Sequence, residues 1–133
     1  MTKANSKSLS VALVGAGYIS DFHCIGLNLL PNVEIREICD LSVNRAQQLA
    51  EDRGISKIYS DLDEMIEHEQ LDAIHILTPP HILYLIAEKA LQAGIDVMVE
   101  KPLCHSLDAC QKLRNLADEN SCSIGVRHNF LFS

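Results

Sequence analysis

The decisive stretch of this sequence is VALVGAGYIS, residues 11–20. Its first four residues form a compact apolar run, which is typical of a parallel strand that is buried on both faces. Gly15 then permits a tight turn, and Gly17 lets another group approach the backbone because it carries no Cβ. The stretch predicts a buried strand followed directly by a glycine turn and the beginning of a helix.

Outward from this stretch, short apolar runs alternate with segments of helical spacing. The predicted strands are 11–14, 33–39, 57–59, 73–77, 95–99 and 123–126, and the predicted helices lie around 19–30, 43–50, 62–66, 82–90 and 107–117. Parallel strands need crossover connections, and right-handed crossovers place helices on both faces of one sheet. The pattern predicts an α/β fold, namely a doubly wound parallel sheet of six strands, the Rossmann fold.

Composition narrows the class of protein. The 133 residues are 47% apolar and 22% charged, as in ordinary soluble domains. The formal charge of -7 argues against a nucleic-acid partner, since phosphate contacts need a positive surface. The longest apolar run falls far short of the ~20 residues that span a bilayer. Five cysteines without metal-ligand spacing are expected to be reduced thiols, which predicts a cytoplasmic protein without a metal site.

The domain organisation follows from the same pattern. Residues 1–9 are predicted to be a flexible N-terminal segment, and residues 10–133 to form one dinucleotide-binding domain. The chain ends on an apolar segment, 130–132, that has no turn or cap after it. These residues either belong to the core or lead into a further domain, and we favour the second interpretation.

The glycine turn predicts where phosphates bind. Free N–H groups of Tyr18 and Ile19, at the beginning of the first helix, would face a pyrophosphate that lies against Gly15 and Gly17. Ser20 occupies the third glycine position of the G-x-G-x-x-G pattern, which loosens helix packing but leaves the phosphate contacts intact. The turn predicts a bound dinucleotide.

An acidic residue completes this pattern. Asp40 ends the second predicted strand, 20 residues beyond Ser20, where a carboxylate accepts hydrogen bonds from the adenosine ribose. The alternative is that Asp40 only caps the next helix. A carboxylate here repels the 2′-phosphate of NADP, so NAD is the predicted cofactor. Arg45, one helical turn later, could reach that phosphate and keeps NADP open as the less favoured cofactor.

Two later motifs point to a family. Glu100-Lys101-Pro102 follows the fifth predicted strand, and LTPPH, residues 77–81, follows the fourth. Together with the glycine turn and Asp40, in this order and spacing, they resemble the Gfo/Idh/MocA oxidoreductases, of the glucose–fructose oxidoreductase and inositol dehydrogenase types. The resemblance covers residues 11–132.

The resemblance implies roles for the residues of these motifs. Leu77, Thr78 and Pro79 would line the cofactor, and Glu100 and Lys101 would lie beside the nicotinamide. Lys101 would be the catalytic residue, hydrogen-bonding the substrate hydroxyl that becomes a carbonyl while hydride moves to the cofactor. The alternative is that Glu100 and Lys101 form a solvated charge pair at the end of a strand.

Two further residues are weaker candidates. His81 lies near the nicotinamide by the same resemblance, although a helix-capping or surface histidine fits equally well. Leu83 stands where the family often has a second histidine. Asn129 is a candidate contact to substrate at the mouth of the site.

The resemblance also implies a second domain. In the family that domain supplies most contacts to a sugar, inositol or sugar derivative and the surfaces for any oligomer, and we expect it to be absent from this chain. The expected function is hydride transfer between a nicotinamide cofactor and such a substrate. The alternative is a dinucleotide-binding sensor or regulatory module without catalysis, and the presence of Lys101 favours the enzyme.

Overall fold

The computed structural model describes residues 9–15, 33–78, 80–100 and 106–127. Its strands are β1 (Leu9–Val14), β2 (Val33–Cys39), β3 (Lys57–Tyr59), β4 (Ala73–Ile76), β5 (Asp96–Glu100) and β6 (Ile124–Arg127). Its helices are α1 (Val43–Arg53), α2 (Leu62–His68), α3 (Pro80–Gln92) and α4 (Leu107–Glu119). The helix predicted around 19–30 lies outside the described residues.

The six strands form one sheet in the order β3-β2-β1-β4-β5-β6. Every neighbouring pair is parallel, and the chain reverses its direction of travel across the sheet between β1 and β4. This is the strand order of the dinucleotide-binding Rossmann fold, whose ligands lie at the carboxyl ends of the strands where the order reverses. The predicted fold class and strand number are confirmed.

Local chemistry explains where the helices begin and end. Ser42 caps α1 by accepting a hydrogen bond from the Arg45 N–H, and Ser106 caps α4 by accepting one from Ala109. Gly54 ends α1 with a φ of 69°, a left-handed conformation that glycine adopts without a Cβ clash. Asp61 caps α2, and its carboxylate accepts a hydrogen bond from the Asp63 N–H.

Apolar side chains cover both faces of the sheet. On one face Leu13 and Ile38 pack against Ala46, Leu49 and Ala50 of α1. The other face carries the larger cluster, in which residues of β1, β4 and β5 pack against α2, α3 and α4. Successive residues of a strand point to opposite faces, so a continuous apolar run such as VALV is buried on both.

The structure also bears on the expectations about membrane-spanning segments and about the cysteines. No described helix has the length and apolar character needed to cross a membrane. Cys39 and Cys122 are free thiols, as expected. Cys110 is disulfide-bonded, so the expectation of reduced cysteines is wrong for this residue. Spacing along the chain indicates metal sites but says nothing about which cysteines meet in space.

Candidate cofactor-binding site

The carboxyl ends of β1, β2, β3 and β4 are joined by backbone hydrogen bonds. The Gly15 N–H donates to the Cys39 carbonyl at 2.8 Å, and the Leu77 N–H donates to the Val14 carbonyl at 2.8 Å. The Asp40 N–H extends this edge by donating to the Tyr59 carbonyl at 3.0 Å. The bonds hold Gly15, Asp40 and Leu77 at one edge of the sheet, where the strand order reverses.

Gly15 has a φ of 104°, a conformation that only glycine adopts readily. A Cβ on Gly15 would lie 3.2 Å from both the carbonyl carbon and the carbonyl oxygen of Leu77, and 3.4 Å from Cγ2 of Thr78. A side chain at this position would therefore combine a strained backbone angle with a contact that the Leu77 backbone could accept only by shifting a few tenths of an ångström. This close approach explains the first glycine of the motif.

The Asp40 side chain is nearly buried, with an exposed fraction of 8%. Its Oδ1 accepts a hydrogen bond of 2.7 Å from the Ser42 N–H and lies 3.6 Å from Nη2 of Arg45. The residue that caps α1 is Ser42, so capping that helix does not account for Asp40. The carboxylate is fixed in orientation by a backbone donor, with a mostly exposed guanidinium beside it.

A pocket of about 440 Å³ opens at this edge of the sheet. Four predicted site residues line it, namely Gly15, Asp40, Leu77 and Thr78. Besides the strand-end residues Val14 and Cys39, the sequence analysis did not assign five other lining residues to a site: Leu41, Ser60, Leu62, Ile82 and Ile86. The available signal was their position, since each follows the end of a strand directly or lies in the first turns of the next helix.

The pocket wall contains two groups that bear on its chemistry. Burial, followed by the negative charges of Asp40 and Asp61, raises the pKa of the Cys39 thiol to about 11. Cys39 therefore stays protonated and serves as an apolar wall. Oγ1 of Thr78 is buried and has no hydrogen-bond partner among the described residues. A buried hydroxyl without a partner carries an uncompensated desolvation cost.

The structure describes the backbone of two further predicted site residues. His81 lies in the first turn of α3, and Glu100 is the last residue of β5, so both are carried to the same edge of the sheet. The candidates outside the described residues are Gly17, Tyr18, Ile19, Pro79, Lys101 and Asn129. Their assignments stay predictions.

These features fit a dinucleotide. A buried carboxylate suits ribose hydroxyls, a glycine turn admits a pyrophosphate, and an apolar pocket with few polar groups suits a planar base. Fold and site together define the class of Rossmann-type dinucleotide-binding domains.

The family follows from comparison with known proteins. Residues 9–128 match the model of the Gfo/Idh/MocA family, described as an oxidoreductase family with an NAD-binding Rossmann fold. The chain belongs to this family, as its motifs predicted.

Individual relatives agree with this assignment. The chain is 30% identical to the scyllo-inositol 2-dehydrogenase (NAD(+)) of Bacillus subtilis, over 90% of this chain and 36% of that protein. It is 27% identical to the D-apiose dehydrogenase of Paraburkholderia graminis, over 97% of this chain and 34% of the relative. The crystal structure of the WlbA dehydrogenase from Bordetella pertussis, in complex with NADH and UDP-GlcNAcA, superimposes with a TM-score of 0.85 at 26% identity, covering 91% of this chain and 35% of that one. The chain thus spans about a third of the length of these relatives.

Proposed function

We propose that this chain is the cofactor-binding domain of an NAD-dependent oxidoreductase that acts on a hydroxyl or carbonyl group of a sugar, an inositol or a sugar derivative. The observation that carries the proposal is the nearly buried Asp40 carboxylate beside Gly15, at the edge where the strand order reverses. The substrate class is supported by the relatives, among which are dehydrogenases of scyllo-inositol and D-apiose.

Different residues of this chain would contact different parts of the dinucleotide. Gly15 and Gly17 would lie against the pyrophosphate, with the Tyr18 and Ile19 N–H groups as donors. Asp40 would accept hydrogen bonds from the adenosine ribose, while Leu41 and Ile82 of the pocket wall provide apolar surface for the base.

Leu77, Thr78 and Pro79 would lie along the middle of the cofactor. Thr78 has a buried hydroxyl that needs a partner, which supports its contact with the cofactor. We place His81 and Glu100 towards the nicotinamide end, because β5 and α3 bring both to the same edge of the sheet. When bound, the nicotinamide ring supplies the group that accepts or donates hydride.

Lys101 would act on the proton that accompanies the hydride. As the substrate hydroxyl becomes a carbonyl, its proton would leave through a hydrogen bond to Lys101, and in the reverse direction Lys101 would return it. A lysine beside a cationic ring can have its pKa lowered towards the working pH. Asn129 would contact the substrate from the end of this domain.

The cofactor assignment is tested by calorimetry with NAD and NADP. We expect NAD to bind more tightly, because the Asp40 carboxylate repels a 2′-phosphate. Asp40→Ala should weaken the binding of NAD and narrow the difference between the NAD and NADP affinities. Asp108→Ala, which removes an exposed carboxylate from α4, should leave both affinities unchanged. Equal or tighter binding of NADP by the unaltered chain would overturn the role of Asp40.

A further inference from the structure

An acidic side chain of β2 lies deeper than Asp40 and plays no part in the proposed cofactor contacts. Glu37 is 1% exposed and lies three residues before Asp40, which directly follows the strand. Its Oε1 is buried and has no hydrogen-bond partner among the described residues. A carboxylate in such a position loses its hydration without full compensation, whereas a neutral carboxylic acid loses much less.

The partner of Glu37 is another carboxyl group. Glu69, which directly follows α2, hydrogen-bonds with Glu37 and has a side chain only 8% exposed. Glu69 also accepts from the Tyr59 hydroxyl, and from Nζ of Lys57 at 3.2 and 3.3 Å. Two carboxyl groups can hydrogen-bond only through a proton. Because Glu69 already has two donors, it is the carboxylate, and the proton belongs to Glu37.

The electrostatics agree with this placement of the proton. Burial, and then the hydrogen bond and charge of Glu69, raise the pKa of Glu37 from 4.5 to about 7, opposed by Arg36 and Lys57. The Tyr59 hydrogen bond chiefly lowers the pKa of Glu69. The titratable groups around the pair come from β2, β3 and α2, and they are Arg36, Lys57, Tyr59 and Glu64. β1, on the other side of β2, contributes none.

One residue links this pair to the candidate cofactor site. Tyr59 lies opposite Cys39 in the β2–β3 register. Its hydroxyl is bound to Glu69, and its carbonyl accepts the Asp40 N–H at 3.0 Å. β3 has only three residues, so few other bonds keep it beside β2. A displacement of Tyr59 would therefore also displace the backbone at Asp40.

We propose that the proton shared by Glu37 and Glu69 holds β3 against β2 and thereby positions Asp40, so that cofactor affinity falls when this proton is lost to solvent. Glu37, Tyr59 and Glu69 are positioning residues in this scheme and touch no cofactor atom. The inference rests on the proposed binding of NAD at Asp40. Loss of the proton leaves two adjacent carboxylates that repel each other with little water to screen them.

The experiment compares the full chain with Glu37→Gln, whose amide keeps a donor towards Glu69 and carries no charge. For the unaltered chain we expect the Kd for NAD, measured by calorimetry, to rise about threefold to tenfold from about pH 6 to about pH 8.5. Glu37→Gln should bind NAD with nearly the same affinity at both pH values. The matched control is Glu67→Gln, which neutralises an exposed carboxyl of α2 and should keep the pH dependence of the unaltered chain.

A second measurement needs no cofactor. Because the pKa of Glu37 is raised in the folded chain, that chain holds more protons than the unfolded one between pH 4.5 and about 7. Its denaturant midpoint should fall as the pH rises through this window and level off above it, and Glu37→Gln should lack this fall. Protection of the Asp40 N–H against hydrogen exchange should decrease above neutral pH in the unaltered chain alone. Tyr59→Phe, which removes the donor to Glu69, should lower that protection at every pH.

The outcomes separate the two proposals. NAD binding that is equally tight at both pH values, in the unaltered chain and in Glu37→Gln alike, overturns the inference and leaves the proposed function standing. Asp40 protection that does not respond to pH or to Glu37→Gln also overturns the inference. Absence of NAD binding at every pH overturns the proposed function, and with it the effect on affinity, while the exchange measurement still decides whether the shared proton holds β3 in place.

Discussion

The backbone of Gly15 lies so close to Leu77 that a Cβ on the glycine would sit 3.2 Å from the Leu77 carbonyl group. This contact joins the turn after β1 to the segment after β4, and both contribute to the pocket wall. Two separate requirements therefore fall on Gly15, a positive φ and a close approach of backbone to backbone. A substitution at this position tests both.

Gly15→Ala should destabilise the chain by about 2–3 kcal/mol, since it adds steric conflict with Leu77 to the cost of a left-handed residue. Gly94→Ala is the matched control, because Gly94 has a φ of 79° but open space around it. It should cost only about 1–2 kcal/mol. Urea denaturation measures both losses. NAD affinity should fall in Gly15→Ala alone, and equal losses of stability in the two variants would contradict the packing argument.

The pair Asp40 and Arg45 should set the response to NADP. Nη2 of Arg45 lies 3.6 Å from Oδ1 of Asp40, and its side chain is 64% exposed. Asp40→Ala removes the repulsion of a 2′-phosphate and leaves this guanidinium available to it. We expect NADP affinity to rise about tenfold, on the scale of one charge-assisted hydrogen bond.

Adding Arg45→Ala to that variant should abolish the gain, whereas Arg114→Ala on the exposed face of α4 should not. Calorimetric titration of the unaltered chain and of each variant with both cofactors gives the affinities to be compared. A gain in NADP binding that survives the loss of Arg45 would show that another group binds the phosphate.

Thr78→Val should stabilise the cofactor-free chain but weaken the binding of NAD. The valine replaces a buried hydroxyl that lacks a partner among the described residues, so the cofactor-free chain should gain up to about 1 kcal/mol of stability. NAD should bind more weakly, because its partner at Thr78 is gone. Thr78→Ser, which keeps the hydroxyl, is the control for affinity. A variant that binds NAD normally would place Thr78 outside the contact surface.

Lys101 carries the catalytic prediction. In a protein that joins this chain to a substrate-binding domain, Lys101→Ala should lower kcat by ~10²–10⁴, the usual contribution of general acid–base catalysis, while NAD affinity changes little. Lys101→Arg should not restore turnover, since a guanidinium stays protonated and has a different shape. Steady-state kinetics with a separate binding measurement distinguishes the two effects. Near-normal kcat in the alanine variant would reduce Lys101 to a surface charge.

The sequence predicted the described elements because their signals are local. Ser42, Gly54 and Ser106 mark helix ends through hydrogen bonds and dihedral angles that involve only a few neighbouring residues. The doubly wound parallel arrangement followed from general rules for crossovers, whereas the strand order came only from the structure. For the site, the glycine pattern and the spacing to Asp40 identified one edge of the sheet.

The pairing of Glu37 with Glu69 could not be predicted from local sequence patterns. Glu37 sits in a run where Ile35 and Cys39, two residues away on either side, are buried, so an inward-facing carboxyl was detectable. Its partner Glu69 lies 32 residues further along the chain, and only the packing of α2 beside β3 brings the two together. Which of the two keeps the proton depends on Tyr59 and Lys57, whose side chains meet Glu69 only in the folded chain.

The strand β3 has a further consequence for how copies of this chain behave towards each other. It is an edge strand of the described sheet, and the unpaired N–H and C=O groups of an edge strand can pair with a strand of another molecule. Three residues provide few such groups, and the ammonium of Lys57 would have to be dehydrated for a second strand to dock. This edge is therefore a poor site for strand pairing between molecules, which disfavours aggregation through β3.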